Sequence, residues 1–383
     1  MELPRPFTID PQTPEALQGI ASLPESRGVY LFSLPGLPPH LGSCLNLRRR
    51  LTRLLVPSYT AVGSGFARHF QKVTAVSCWP AGSRLEVSLL TYWITREHFA
   101  ADYLKRLRLR LPWFLALTSR DPFPRLEIVN RPTRRHSAAY GPFLSRESAQ
   151  RYEQELSGLF QVRRCTETLI PVPTHPGCIY GEMNQCLRPC QCAVSQDEYA
   201  AEVARLGEFL ATNGKTASAA LATARERASA ELAFEQAAQL HKRMEKVTAA
   251  GACRDSVIAP HTAFNGVALT SGVADGECRL WPMLQGYWQM PVIVQFSTFE
   301  PVARSLDREL RETLAHSLAS APLETGDRVE HLALFSRWYY SSWRDGHWFP
   351  FHKLEDLNYR RLVREISNLT RSNSASNSVS KTC

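Results

Sequence analysis

Five of the ten cysteines in this chain fall within the 28 residues from Cys165 to Cys192. The other five are scattered at Cys44, Cys78, Cys253, Cys278 and Cys383, which is unlike the even spacing of a disulfide-stapled secreted scaffold. Twelve, seven and three residues separate Cys165, Cys178, Cys186 and Cys190, and Cys192 follows closely. The intervening "PVPTHPGC" breaks helices and strands, so the segment is a loop whose thiols need a common partner. Four soft thiolates converging from a loop suit tetrahedral Zn²⁺ or an iron–sulfur cluster, and spacing does not choose between them. Reduced structural cysteines without metal are the third reading.

The rest of the chain is of ordinary globular composition, with 383 residues and an apolar share of 44%, enough for two or three compact units. A formal net charge of +9 favours a polyanionic partner. The opening "MELPRPFTIDPQTPEALQG" has acids and prolines where a secretory leader has a basic start and an apolar run. No stretch reaches about 18 apolar residues, so the expectation is a cytoplasmic protein without a membrane partner.

Patterning predicts short strands at Val29–Phe32 and His40–Gly42, a third at Leu85–Trp93, and helices over Asn46–Leu55 and Glu97–Arg110. A Pro- and Arg-rich passage leads to an amphipathic helix from Ser145 to Leu159. Ser195 with Glu198 forms a capping-box signature. The helix it opens is followed by two alanine-rich helical pieces meeting near Leu232–Glu235. From about Arg254 the pattern is mixed, with strand-like "FNGVALT" and "MPVIVQFST", a helix over Arg304–Leu318 and an aromatic run "RWYYSSWRDGHWFPF". The fold class expected is α+β and multidomain.

Gly28-Val29-Tyr30, His40-Leu41-Gly42, "NLRRRL", "YGPF" at Tyr140–Phe143, the four cysteines and "AELAFEQAAQLHKRM" occur in one order. In that order they resemble the N-terminal part of the UvrC/Cho family of excinucleases, over roughly Leu23–Val247. The resemblance implies a GIY-YIG nuclease-like α/β domain over 1–118, a cysteine-ligated connector over 119–194 and a UVR helical hairpin over 195–250. An α/β domain of unknown role would span 251–367, and a disordered tail 368–383. The likeness fades after residue 250, and the family's second nuclease and helix-hairpin-helix region are not expected here.

In GIY-YIG enzymes two tyrosines, an arginine and a metal-binding glutamate cut the phosphodiester. The resemblance places Tyr30 and Arg50 in two of these roles, but His40 occupies the second tyrosine position and Ser43 replaces a lysine. The glutamate position falls on Tyr103, or on Asp102 with a one-residue shift that would make it a Mg²⁺ ligand. Histidine can act as a base and aspartate can ligate Mg²⁺, yet the departures together argue for a degenerate site. Arg48, Arg49, Arg53, Lys105 and Arg106 are the expected DNA-binding residues, on two helices taken to flank one cleft.

For the cysteines the resemblance implies a 4Fe-4S cluster on Cys165, Cys178, Cys186 and Cys190, with Zn²⁺ as the alternative and Cys192 spare. Arg163, Arg164 and Arg188, nearby, are candidates either to bring the cluster loop to DNA or to balance the thiolate charge. For the hairpin it implies that Leu232, Phe234, Ala237, Ala238 and Leu240 dock on UvrB. The expected function is thus a nucleotide excision repair protein that binds DNA and UvrB with weak or absent cleavage. The alternative is an active Mg²⁺-dependent endonuclease incising on the 3′ side of a lesion.

Overall fold

The computed structural model describes residues 4–55, 73–119, 121–295, 306–319 and 327–380. The chain forms two compact units, Met1–Arg110 with Asn265–Cys383, and Leu111–Phe264. It is a mixture of helices and antiparallel sheets, an α+β multidomain architecture.

The first unit opens with β1 (Phe7–Ile9), α1 (Ala16–Ser22), β2 (Arg27–Leu34), β3 (Leu37–Cys44), α2 (Leu47–Leu55), β4 (Ala75–Ala81), α3 (Arg84–His98) and α4 (Tyr103–Leu107). The strands pair antiparallel in the order β1-β4-β2-β3. Alternation along β2 sorts its side chains between two faces. Tyr30 and Phe32 pack with Ile20, Leu47 and Leu51 beneath α1 and α2, and Val29 and Leu31 pack with Leu90 and Ile94 beneath α3.

The strand expected at Leu85–Trp93 is corrected to helix. Ser83 accepts a hydrogen bond from the Glu86 amide at 3.1 Å and caps α3, and Leu85, Leu89, Leu90, Trp93 and Ile94 recur at helical spacing with all five buried. That periodicity outweighs the β-branched and aromatic content. The helix expected over Glu97–Arg110 is likewise divided, with α3 ending at His98 and α4 stopped by Arg108 in the left-handed region at φ 47°.

The second unit contains β5 (Trp113–Thr118), β6 (Leu126–Val129), β7 (His136–Phe143), α5 (Arg146–Ser157), α6 (Ile179–Glu182), α7 (Gln196–Thr212), α8 (Lys215–Ala230), α9 (Phe234–Ala252) and β8 (Ala259–Pro260). Its sheet order is β6-β5-β7-β8. Ser195 and Glu198 close both hydrogen bonds of a capping box at the start of α7, and Ser145 with Ser148 does the same for α5. Asn213 and Gly214, both with positive φ, turn the chain from α7 into α8.

The chain then returns to the first unit with β9 (Gly266–Ser271), β10 (Glu277–Leu284), β11 (Tyr287–Trp288), β12 (Val292–Gln295), α10 (Leu306–Ala319), α11 (Arg328–Tyr339), β13 (Gly346–Pro350) and α12 (Tyr359–Ser380). The order β11-β10-β9-β13, with β12 also on β10, makes a sheet that packs on α10 and α12 through Leu310, Leu314, Leu362 and Ile366. The end of the strand expected at "MPVIVQFST" and the start of the helix expected at Arg304 lie outside the described residues. The tail expected to be disordered from 368 continues the backbone of α12 to Ser380; its first turns are anchored in the core, and extending a nucleated helix is easier than starting one.

This C-terminal segment is packed directly against α3. The Tyr92 hydroxyl donates to Glu330 Oε2 at 2.7 Å and the Tyr103 hydroxyl to Glu330 Oε1 at 3.1 Å. Arg279 bridges Glu86 and Glu277, and the Arg84 amide donates to Asp345 Oδ2 at 2.6 Å.

Candidate functional site

Strand register brings three of the expected residues together. Tyr30 lies opposite Gly42 and Phe32 opposite His40 on the β2–β3 ladder, and directly opposed residues share a face. His40 stacks on Phe32 at 6.2 Å between centroids, 17° from parallel. From α2, which covers the same face, Arg50 Nε donates to the Tyr30 hydroxyl at 3.3 Å. The His40 pKa is lowered, first because burial disfavours the charged ring and then because the Arg50 guanidinium repels a second positive charge. The lowered pKa favours the neutral ring, the state a proton-accepting base needs.

The remaining expected positions lie on the other face of this sheet. Ser43 pairs with Val29 and shares its direction toward α3. Asp102 is held by Arg106, whose Nε donates to its carboxylate at 2.9 Å, and the Arg106 guanidinium lies 4.0 Å over the ring of Phe99, a core residue under α3. Asp102 and the basic residues of α4, Lys105 and Arg106, thus stand apart from Tyr30. The expectation of two basic helices flanking one cleft is corrected, because α2 packs on the Tyr30 face of the sheet whereas Arg106 of α4 lies on Phe99, in the core beneath α3 on the opposite face. On α2, Arg49 and Arg53 are exposed, whereas Arg48 is tied to the Leu23 carbonyl at 2.7 Å and to Glu25 at 2.8 Å.

In the cysteine loop, Cys186 and Cys190 are buried, Cys165 and Cys178 half-buried and Cys192 exposed. Burial raises the pKa of both Cys186 and Cys190, and the neighbouring thiols among Cys165, Cys178 and Cys190 raise it further. The four sulfurs thus sit within electrostatic range of one another. Among the described residues no three His, Cys, Asp or Glu side chains gather closely enough to hold a single metal ion. The loop is shaped by Asn184, Arg188 and Cys192, non-glycine residues in the left-handed region at φ 54°, 56° and 53°, a conformation that costs energy and collects at functional loops.

At the tip of the hairpin, Leu232 is 72% and Phe234 67% exposed. Ala238 is also exposed, and Ala237 and Leu240 are half-buried. Leu232 has φ 58°, and the Ala233 amide reaches back to the Ala228 carbonyl at 2.9 Å. This is a Schellman turn with leucine where glycine is favoured.

A sequence profile for the middle domain of UvrC/Cho excinucleases matches residues 112–209, the stretch that holds β5–β7, α5, the cysteine loop and most of α7. The UvrABC system protein C of Nitratidesulfovibrio vulgaris is 28% identical over 294 residues, 72% of this chain and 42% of the relative. That of Lawsonia intracellularis is 27% identical over 285 residues, 69% and 45%. The chain is thus similar to UvrC proteins over most of its length. The protein from Sphingopyxis alaskensis is 29% identical over 60% of this chain and 35% of its own length, so the chain spans less than half of these UvrC relatives. No solved structure matches it.

Within the UvrC-like middle segment the structure identifies Arg163 as the residue that fastens the cysteine loop. It is buried, its guanidinium pairs with Asp121, and it donates to the carbonyls of Phe123 at 2.7 Å and Glu167 at 3.0 Å. Its Nη1 also reaches Cys165 Sγ at 3.5 Å. Arg163 therefore faces inward, and the reading of it as a DNA contact is corrected. Its position two residues before Cys165 was the only sign in the sequence. Glu330 was not legible at all, because its partners Tyr92 and Tyr103 are more than two hundred residues away.

Proposed function

We propose that this UvrC-like chain acts in nucleotide excision repair as a DNA- and UvrB-binding protein with a degenerate GIY-YIG-type nuclease site. The observation that carries the reading is the Tyr30–Arg50 pair on a sheet face where His40 stands for a tyrosine. Among the described residues no carboxylate is hydrogen-bonded or ion-paired to Tyr30 or Arg50. Arg50 can meet a phosphoryl oxygen and neutral His40 can take a proton from water. A bound Mg²⁺ would supply the remaining charge stabilisation, but the one aspartate expected to hold it, Asp102, is paired with Arg106 on the other face. Losing one preorganised charge-stabilising group typically costs about 10²–10³ in rate. A nicking assay on lesion-bearing duplex with UvrB and Mg²⁺ tests this: incision at least about 10²-fold slower than by an intact GIY-YIG enzyme is expected. Robust cutting that is lost in Tyr30→Phe and Arg50→Ala would establish the endonuclease reading instead.

The same proposal assigns a 4Fe-4S cluster to Cys165, Cys178, Cys186 and Cys190, supported by the mutual electrostatic influence of these thiols. Protein purified without oxygen should contain iron and sulfide, with content unchanged in Cys192→Ser; zinc alone would refute the assignment. UvrB docking at the hairpin tip is supported by the exposure of Leu232 and Phe234 next to each other, since aromatic side chains are enriched at protein interfaces. Phe234→Ala in the full chain should weaken UvrB binding at least tenfold in calorimetry.

A further inference from the structure

The second unit holds a groove of about 660 Å³ between the hairpin and the cysteine loop, within the ~300–1,000 Å³ range of ligand sites. One wall is α9, where Gln239, Lys242, Arg243 and Lys246 line the groove at helical spacing i, i+3, i+4, i+7. The opposite wall is Met183, Asn184 and Gln185 of the cysteine loop, and Phe160 lies in the lining between them. Lys242, Arg243 and Lys246 are exposed and have no ion pair among the described residues. The one carboxylate in the lining, Glu202, is 3% exposed and already committed to Arg205 and to the Gln161 amide at 2.7 Å. The groove thus presents free positive charge that nothing in its lining neutralises, beside amide donors and an aromatic ring. Phe160 is half-buried, its ring edge-to-face with Phe209 at 5.4 Å.

We propose that this groove binds a segment of single-stranded nucleic acid, with phosphates on Lys242, Arg243 and Lys246 and a base stacked on Phe160. Cations that follow a backbone beside an aromatic platform are the recurring chemistry of single-strand binding. A paired duplex keeps its base faces covered and cannot use the ring. The site is built from residues other than Arg49 and Arg53 of α2, so its test does not depend on the nuclease-like site.

The test is fluorescence anisotropy of the full chain with a labelled single-stranded oligodeoxynucleotide across a salt series. The triple variant Lys242→Gln, Arg243→Gln, Lys246→Gln should bind at least tenfold more weakly near 0.1 M salt. Its log–log salt slope should fall by about 2, since each lost single-strand phosphate contact removes about 0.7. Phe160→Leu should weaken binding about tenfold, the lower part of the ~1–3 kcal/mol range per stacked base, and leave the slope unchanged. Unaltered affinity and slope in the triple variant would overturn the proposal, as would an equal loss of duplex binding. Displacement of the oligonucleotide by polyglutamate at equal charge would show that the groove takes an acidic peptide, which also overturns it. Failure of UvrB binding or of nicking would be read in separate assays and would leave these outcomes unchanged.

Discussion

Arg50 Nε donates to the hydroxyl of Tyr30 across 3.3 Å, tying a helix residue to a strand residue on one face of the first sheet. The ring is held there by what lies across the ladder: a Cβ on Gly42 would come within 2.4 Å of the Tyr30 Cζ and hydroxyl oxygen. Gly42→Ala must therefore displace a buried ring and break its bond to Arg50, at a cost of about 1–3 kcal/mol in urea unfolding. Gly42→Ala combined with Tyr30→Ala should cost clearly less than the two singly; strict additivity would show that the contact is not the cause.

His40 has its pKa lowered by burial and by Arg50, so the folded state binds this proton less readily than the unfolded state. Above about pH 6.5, the ordinary value, the ring is neutral in both states and exerts no effect. As the pH falls through that value the unfolded chain takes up the proton first, and stability declines until the folded-state pKa is passed. His40→Gln should flatten the thermal-midpoint profile between about pH 7 and the mildly acidic range. An unchanged profile would remove His40 from the linkage.

Leu232 occupies the left-handed turn between α8 and α9 while 72% exposed. Leu232→Gly removes the steric cost of that conformation, about 1–2 kcal/mol, and loses little burial. Higher thermal stability with weaker UvrB binding is the expected pair of outcomes, read by unfolding and by calorimetry. A destabilised variant would show that the leucine packs in the fold.

Arg279 is the cation between Glu86 on α3 and Glu277 on β10. Burial lowers its pKa, although the two flanking carboxylates favour its charged form. Arg279→Met would leave two buried carboxylates without a counter-charge, a change that typically costs about 3–5 kcal/mol. Loss of the paired carboxylates in the same variant, through Glu86→Gln and Glu277→Gln, should recover much of that stability. No recovery would mean that Arg279 stabilises by packing alone.

Much of the architecture is legible from local sequence. The capping boxes at Ser145 and Ser195, the alanine-rich hairpin and the strands around Val29 and His40 depend on hydrogen bonds and periodicities only a few residues long. α3 shows where this fails: its aromatic and β-branched residues suit a strand as well as a buried helix, and the deciding contacts come from β2, β4 and the C-terminal segment. The grouping of Tyr30, His40 and Arg50 follows from a short hairpin and the helix after it, so it too was readable.

By itself, the sequence determined the local elements, the cysteine set and the family resemblance, because these rest on neighbours in the chain and on residue identity. Only the tertiary structure decided that Asp102, Lys105 and Arg106 lie away from Tyr30, since the face a residue takes depends on strand parity and on which helix covers it. It likewise decided that Arg163 turns inward, that Glu330 joins Tyr92 and Tyr103, and that Lys242, Arg243 and Lys246 face the cysteine loop across a groove. Each of these joins residues far apart in sequence, and such pairings are set by the packing of whole elements.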